Sequence, residues 1–521
     1  MRSIFRGIPD AAVTSAALLL AFGCAVLLKD SGLDDSIVVL TVALTLTLAR
    51  VQRGASPRRR LLGLAVLPVV AVATSGVGWL LFHHLAVGGT LFALGVGAAV
   101  WVRRFGPVAA AAGTLATLPF VAVLITPVPP GSGGARLLWA AVAALIAFLS
   151  VAVCQLAAAR AGIGRSAPPV APVPRPPRAA GGWAVSDRMA CQMAVALGAA
   201  FLLGRLAFPD HWSWTVLTAF IVSSGNRGRG DVVHKSVLRI GGAAAGVVAA
   251  TLLAGVFPPG DTSSIAVILA VLAVASWLRG LSYAYWAAAM TAVLSLLYGY
   301  YGLSGTDVLL TRIEAVAVGA LAGVGAAWFV LPVRSGDVAR RRTADALAAL
   351  TDVLSAFRGQ EAGQLVAARA RFDDSLVRLG EIAAPFRAHR GLVRLLRRTA
   401  PHPADAIDAL IGCAGPVGDL AALPGPPGPD LAARAKALTA NVVAARRALG
   451  RRPGPPRHPL PTAPDGAPAH PALDRVDAAL RCLTAVHGDP PPAEPGPRDG
   501  GDQTARQDTG TRSQPVGRGS S

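Results

Sequence analysis

The chain has 521 residues, 53% of them apolar and only 15% charged, with a mean hydropathy of +0.52. A soluble chain carries about a quarter charged residues, so this composition excludes an ordinary soluble enzyme and points to a polytopic membrane protein. The formal net charge of +20 does not indicate nucleic acid: the cations lie between apolar runs and in a terminal tail, and no zinc-finger or RNA-binding signature is present.

Apolar runs near the ~20 residues that cross a bilayer as helix fall at 11–28, 36–49, 61–82, 86–102, 107–127 and 137–158, then at 189–207, 212–224, 236–257, 263–278, 281–299 and 311–331. They predict about twelve transmembrane helices. Cys24 follows an apolar stretch, but Ala21-Phe22-Gly23 is a poor lipoprotein cleavage site and the run continues through Leu28, so an uncleaved first span is expected. The other cysteines, Cys154, Cys191, Cys413 and Cys482, form no CxxC or Cys/His cluster, and neither a disulfide framework nor a structural metal is expected.

Loop charge gives an independent reading of topology, because cytoplasmic loops are rich in Lys and Arg. Every second connection is basic: Arg50 to Arg60, Arg103 and Arg104, Arg160 and Arg165, Arg227 to Lys235, Arg279, and Arg334 to Arg342. The intervening loops are acidic or weakly charged, as at Asp30 to Asp35 and Asp210-His211. Both termini are therefore expected in the cytoplasm of a multi-pass protein of the cell (plasma or inner) membrane. The rhythm also repeats with a period of about 176 residues: Leu40-Thr41 parallels Leu217-Thr218, Arg50 parallels Arg227, Trp101 and Arg103 parallel Trp277 and Arg279, and Arg136 parallels Arg312. Six spans per copy is an even number, so the two copies share one orientation.

The expected organisation is an all-α membrane protein with a first six-helix repeat at 1–160, a Pro-rich cytoplasmic linker at 161–182, a second repeat at 183–333, a cytoplasmic helical domain at 334–450 and a mostly disordered tail at 451–521. In the helical domain, apolar positions recur at three and four residues over 336–358, 361–380, 386–399, 403–420 and 429–449. Pro385, Pro401 and the prolines of 424–429 break these helices, and one further helix is expected at 473–486.

No Walker A, GxSxG, HExxH or dinucleotide fingerprint is present, so the chain is not expected to be an enzyme or to carry a cofactor. The informative residues are polar groups inside spans, where a charge at the bilayer centre costs about 2.5–3.5 kcal/mol. Glu314, in the last span, reads either as a protonatable coupling group or as the partner of an arginine on a neighbouring helix. Arg136 and Arg312 open the sixth and twelfth spans on the outer side, as cations drawing organic anions to a mouth or as side chains snorkelling to headgroups. Trp212 and Trp214, beside His211, are interfacial anchors or a stacking surface for an aromatic solute. Thr218 and Asn226 make the eighth span more polar than lipid requires. Arg239 opens the ninth span and is expected at the cytoplasmic headgroup level. Gly242 with Gly246, and Gly319 with Gly323, are small-xxx-small pairs for close helix packing.

The stretch Trp183–Pro332 resembles the fusaric acid resistance (FUSC) family of integral membrane transporter-like proteins. The resemblance lies in His211-Trp212-Ser213-Trp214 leading to Thr218 and Val222, in Leu238-Arg239-Ile240-Gly241-Gly242 with Gly246, and in Arg312-Ile313-Glu314 with Gly319 before Leu331-Pro332. Gly242 stands where the family usually has Thr. The resemblance implies inner-membrane export of aromatic carboxylic acids or related toxic compounds, with His211, Trp212, Arg239, Arg312 and Glu314 as motif positions. The partners expected are the lipid bilayer, a small organic anion and, as an open option, further copies of the chain; nucleic acid is not expected. The alternative is a non-transporting membrane scaffold acting through its cytoplasmic helices.

Overall fold

The computed structural model describes residues 8–28, 35–52, 57–124, 133–162, 184–253, 282–300, 306–359, 362–396, 400–423, 427–452, 457–462 and 470–487, with isolated positions between 263 and 278. These residues form helices and no strand. The expected linker beyond residue 162, most of the tenth expected span and the tail from 488 lie outside the described residues.

The helices in chain order are α1 (Ile8–Leu27), α2 (Asp35–Val51), α3 (Pro57–His83), α4 (Leu85–Trp101), α5 (Pro107–Val123), α6 (Gly133–Arg160), α7 (Val185–Ala207), α8 (Trp212–Ser223), α9 (Arg229–Leu253), α10 (Tyr283–Tyr300) and α11 (Thr306–Phe329). Then come α12 (Ser335–Gly359), α13 (Ala362–Gly380), α14 (Ala383–Leu395), α15 (Pro403–Gly412), α16 (Ala414–Ala421), α17 (Pro429–Leu449) and α18 (His470–His487). Among the described residues six regions are long and apolar enough to cross a membrane, in α3, α4, α6, α7, α9 and α11; α1, α2, α5 and α8 are apolar but shorter.

Local chemistry explains the boundaries. Gly106 takes a φ of +124°, a left-handed conformation that costs glycine little. Pro107 then occupies the first turn of α5, where no N–H is needed. Leu331, just before Pro332, is forced to a φ of 47°. Gln192 on α7 stabilises this break by donating from Nε2 to the carbonyls of Val330 (2.9 Å) and Leu331 (3.1 Å), two acceptors the ended helix no longer satisfies. Several threonines of the apolar helices bond back to their own helix, as Thr41 to the Ile37 carbonyl at 2.8 Å and Thr74 to Val70 at 2.7 Å, which satisfies those hydroxyls away from water.

The chain divides into two compact units, residues 1–346 with 374–399, and residues 347–373 with 400–521. In the first, α1 packs on α2 and α6, α2 and α3 also pack on α6, and α3 packs on α5. In the second half α7 packs on α8 and α11, α8 and α9 pack on α11, and α9 packs on α10; the packing of α2 on α5 has no comparable counterpart between α8 and α10. Helices α4 and α7 join the two halves. Membrane helices gain little from expelling water, so close approach of small residues drives their packing. Ala17, Ala21 and Ala25 of α1 and Ala140, Ala143, Ala144 and Ala147 of α6 are all buried. At one end of this unit Arg104, after α4, pairs with Asp187 on α7 at 2.7 Å, and the other Asp187 oxygen accepts from the Ala184 N–H at 3.2 Å. The Arg229 N–H reaches the Val333 carbonyl at 3.0 Å, and its guanidinium lies 5.2 Å from the centre of the Trp328 ring.

In the second unit, α18 packs on α15, α16 and α17. Its core includes Leu350, Phe372, Leu410, Leu438, Val476 and Leu480. The expected helix at 403–420 is two, α15 and α16, separated at Cys413. Buried Asp477 accepts from Asn441 at 3.0 Å and pairs with Arg457, and Asn441 Oδ1 accepts from the His458 N–H at 2.9 Å. The segment at 457–458 is thereby pinned to α17 and α18.

Cys413 is buried among these helices, and burial pushes its thiol up to about 12. Since the thiolate is the nucleophile, native protein at pH 8 should alkylate at Cys413 about a thousandfold more slowly than unfolded protein. Peptide mapping after a timed maleimide pulse checks this; equal rates in the two states would contradict the buried placement.

Candidate functional site

The second half of the membrane unit holds most of the polar residues singled out in the sequence, and it separates them into groups. On α9, the expected start at 236 moves back to Arg229. Asp231 explains the shift: it accepts from the Arg227 N–H at 3.2 Å and pairs with Lys235 one turn on at 2.9 Å. Charges that read as a loop instead build the first turns of the helix. Arg239 therefore lies ten residues into α9, about 15 Å along its axis from Arg229.

Arg239 is 7% exposed. Its Nη1 donates to the Tyr283 hydroxyl on α10 at 2.9 Å, and its buried Nε has no partner among the described residues. This is a guanidinium enclosed by helices with one neutral hydrogen-bond partner. Helices α9 and α10 approach closely beside it. A Cβ on Gly242 would lie 2.5 Å from the Ala284 carbonyl oxygen and 2.7 Å from Ala287 Cβ. One on Gly246 would lie 2.7 Å from Thr291 Cβ.

A second group sits where α8 meets α11. A Cβ on Gly319 would collide with the Thr215 carbonyl and lie 2.9 Å from Thr218 Cβ, and one on Gly323 would lie 2.5 Å from Val222 Cγ2. Thr215 and Thr218 are fully buried, and neither hydroxyl finds a partner among the described residues. Asn226, just past α8, is 6% exposed.

The third group is aromatic and lies at the N-terminal ends of α8 and α11. The His211 and Trp214 rings are 4.3 Å apart, and the Arg312 guanidinium carbon lies 5.2 Å from the centre of the Trp214 ring, a cation–π contact. Trp212 packs on Phe201 of α7 at 5.4 Å. Trp214 thus carries Arg312, while Trp212 belongs to the packing of α7. Glu314 is exposed on α11 and has no ion pair or hydrogen bond among the described residues. Leu138 of α6, 176 residues before Glu314, is also exposed, at 67%. The side chain of Arg136 lies outside the described residues.

Sequence reasoning did not find Tyr283 or Gln192. The only signal for Tyr283 was an aromatic pair, Tyr283 and Tyr285, at the start of an apolar run, where a hydroxyl-bearing ring requires a polar partner. Among the described residues, no group of three or more His, Cys, Asp or Glu side chains is placed to hold a metal ion.

Residues 194–326, from within α7 to within α11, match the family described as fusaric acid resistance protein-like. No curated protein matches the chain. The segment that contains Arg239, Gly319 and Arg312 is thus similar to the fusaric acid resistance protein-like family.

Proposed function

We propose that this protein is a secondary transporter of the inner membrane that exports aromatic or other organic carboxylic acids. Arg239 carries the reading. A guanidinium is costly inside a bilayer, most of all at its centre, where insertion costs about 2.5–3.5 kcal/mol, and among the described residues the partner found for Arg239 is a phenol hydroxyl. A carboxylate substrate would supply the missing counter-charge, since the guanidinium fork matches carboxylate geometry. The Tyr283 ring beside it suits an aromatic acid. The family match over 194–326 supports a transporter-like membrane protein.

In this reading the chain crosses the membrane about twelve times as two parallel repeats. The recurrence of most helix pairings in both halves supports this. So does the spacing of Ala143 and Ala147, fully buried on α6, which precede Gly319 and Gly323 by the same period of about 176 residues. The basic connections face the cytoplasm with both termini. Residues 161–182 are a cytoplasmic linker, and the helices beyond residue 334, with α18 among them, are cytoplasmic. The Gly242/Gly246 and Gly319/Gly323 pairs set the helix approach. Thr218, Asn226 and the His211–Trp214–Arg312 cluster line the route outward, with Trp212 beside them and Arg136 as the counterpart of Arg312 in the first repeat.

Accumulation of labelled aromatic acids, compared in cells lacking and overproducing the protein, tests the direction of transport. Overproduction should lower accumulation of at least one acid, and an uncoupler should abolish the difference. Glu314 is the protonatable group of this cycle. Glu314→Gln should leave downhill flux within about twofold of wild type while removing its dependence on a proton gradient. Gradient-driven flux unchanged in this variant would contradict a coupling role.

A further inference from the structure

We infer that the contact of α8 with α11 is a gate on the transport route, closed in this structure, and that Thr215 and Thr218 are its hidden polar lining. Helix α8 has 12 residues, about 18 Å of helix, against the ~30 Å of a hydrocarbon core. It packs on two long apolar helices, α7 and α11. Beyond it the backbone turns at Gly225, with a φ of +57°, and at Gly228, with a φ of +139°. Short, interrupted helices of this kind line the paths of transporters.

The face that α8 turns inward is polar where lipid-embedded packing calls for apolar groups. Thr215, Thr218, Ala219 and Val222 recur at three and four residues, and all are 0% exposed. Thr215 and Thr218 meet Gly319 of α11, and Val222 meets Gly323. On the other flank a Cβ on Gly204 of α7 would lie 3.1 Å from Thr215 Cβ and 3.3 Å from its Oγ1. Neither hydroxyl has a hydrogen-bond partner among the described residues. Buried threonines of other apolar helices bond to the carbonyl one turn back, as Thr41, Thr45, Thr74 and Thr291 do. The pair on α8 does not, and the carbonyl one turn before Thr215, that of His211, already accepts from the Trp214 N–H at 3.0 Å. A buried hydroxyl without a partner opposes the contact that buries it. Gly319 and Gly323 present backbone to α8, so the helices can part there without unlocking interdigitated side chains. Parting gives both hydroxyls water. The orphaned hydroxyls therefore pull the balance toward an open path, which an alternating-access cycle must visit.

This inference rests on the reading of the chain as a transporter. Its test uses the full-length protein in proteoliposomes, with the native cysteines replaced by serine or alanine and Ser223→Cys as the probe. Ser223 is 7% exposed, and its Oγ lies 3.2 Å from where a Cβ on Gly323 would be, so a thiol there is covered while the gate is closed. The rate of labelling by a small methanethiosulfonate reagent reads the opening. Thr215→Val combined with Thr218→Val keeps the shape of both side chains and removes the orphaned hydroxyls. The double variant should melt higher in detergent and label at 223 at least about tenfold more slowly. Thr291→Val removes a hydroxyl bonded to the Ala287 carbonyl at 3.1 Å and should do neither. A double variant that melts lower, or does not fold, would mean that the hydroxyls are bonded in the closed state and would overturn the inference. Unchanged labelling in the double variant, or a thiol at 223 that reacts in neither background, would overturn it as well. Labelling needs no substrate, so its outcome is separate from that of acid efflux. Efflux by protein whose contact never opens would overturn the gate and leave the transporter reading standing. An opening contact in protein that moves no acid would overturn the transporter reading and leave the moving contact.

Discussion

Arg239→Ala should lower carboxylate flux by about 10- to 100-fold, the range set by a charge-assisted hydrogen bond worth about 1.5–3 kcal/mol. Most of the loss should appear as weaker apparent affinity, because the guanidinium binds the substrate before it moves. The variant should still fold. Removing one member of a buried ion pair leaves an uncompensated charge and costs several kcal/mol, whereas the partner that Arg239 leaves behind among the described residues is the neutral Tyr283 hydroxyl. Arg239→Lys keeps the charge but loses the planar fork, and should recover part of the flux. Tyr283→Phe removes one neutral hydrogen bond to the cation and should cost about fivefold. Flux per folded molecule, measured beside melting temperature in detergent, separates the roles. If Arg239→Ala transports normally per folded molecule, or loses flux only in proportion to folded protein, Arg239 is structural.

Gly319→Leu should remove most of the folded protein. Even a methyl at 319 would meet the Thr215 carbonyl and Thr218 Cβ, and backbone cannot move aside as a flexible side-chain tip can. Overpacking a filled interface costs about 1–3 kcal/mol and occasionally more, and leucine adds three carbons where alanine already collides. Gly325, on the same helix, has nothing within 4 Å of its Cβ position, so Gly325→Leu should express and melt like wild type. The pair controls for glycine's backbone freedom, since both positions are helical and lose the same entropy. Fluorescence-detected size exclusion and melting curves read the difference. Equal behaviour of the two variants would mean that α8 and α11 do not approach as closely as described.

Helix positions were legible because apolar runs and three-four spacing are local properties of the chain. Stretches such as 137–158 and 429–449 became α6 and α17 with small shifts at their ends. The largest shift, at α9, came from Asp231 and Lys235, whose charges mark a loop until one sees that they pair across a helical turn. The small-residue spacing at Gly319 and Gly323 was visible, but its partner α8 was not, because pairing between helices depends on contacts distant in sequence. The candidate site was less legible still. Arg239 and Glu314 were visible as polar residues in apolar runs, and the sequence does not record which way each faces. Arg239 turns inward to Tyr283, while Glu314 turns outward, so the reading of Glu314 as an arginine's partner within the chain finds no support among the described residues. Arg136 and Arg312 likewise look equivalent in the sequence, which does not record that Arg312 meets Trp214, two residues beyond the start of α8.

The central claim is that the membrane helices around Arg239 form a path for organic carboxylates. The most direct measurement is efflux of a panel of radiolabelled benzoate-type and hydroxycinnamate-type acids from proteoliposomes containing the purified full-length protein, against liposomes without it. Protein-dependent efflux of at least one acid, competed by its unlabelled form and reduced at least about tenfold in Arg239→Ala, is the predicted result. Folded, reconstituted protein that moves none of the acids faster than bare lipid would contradict the claim and favour a membrane scaffold acting through its helices beyond residue 334.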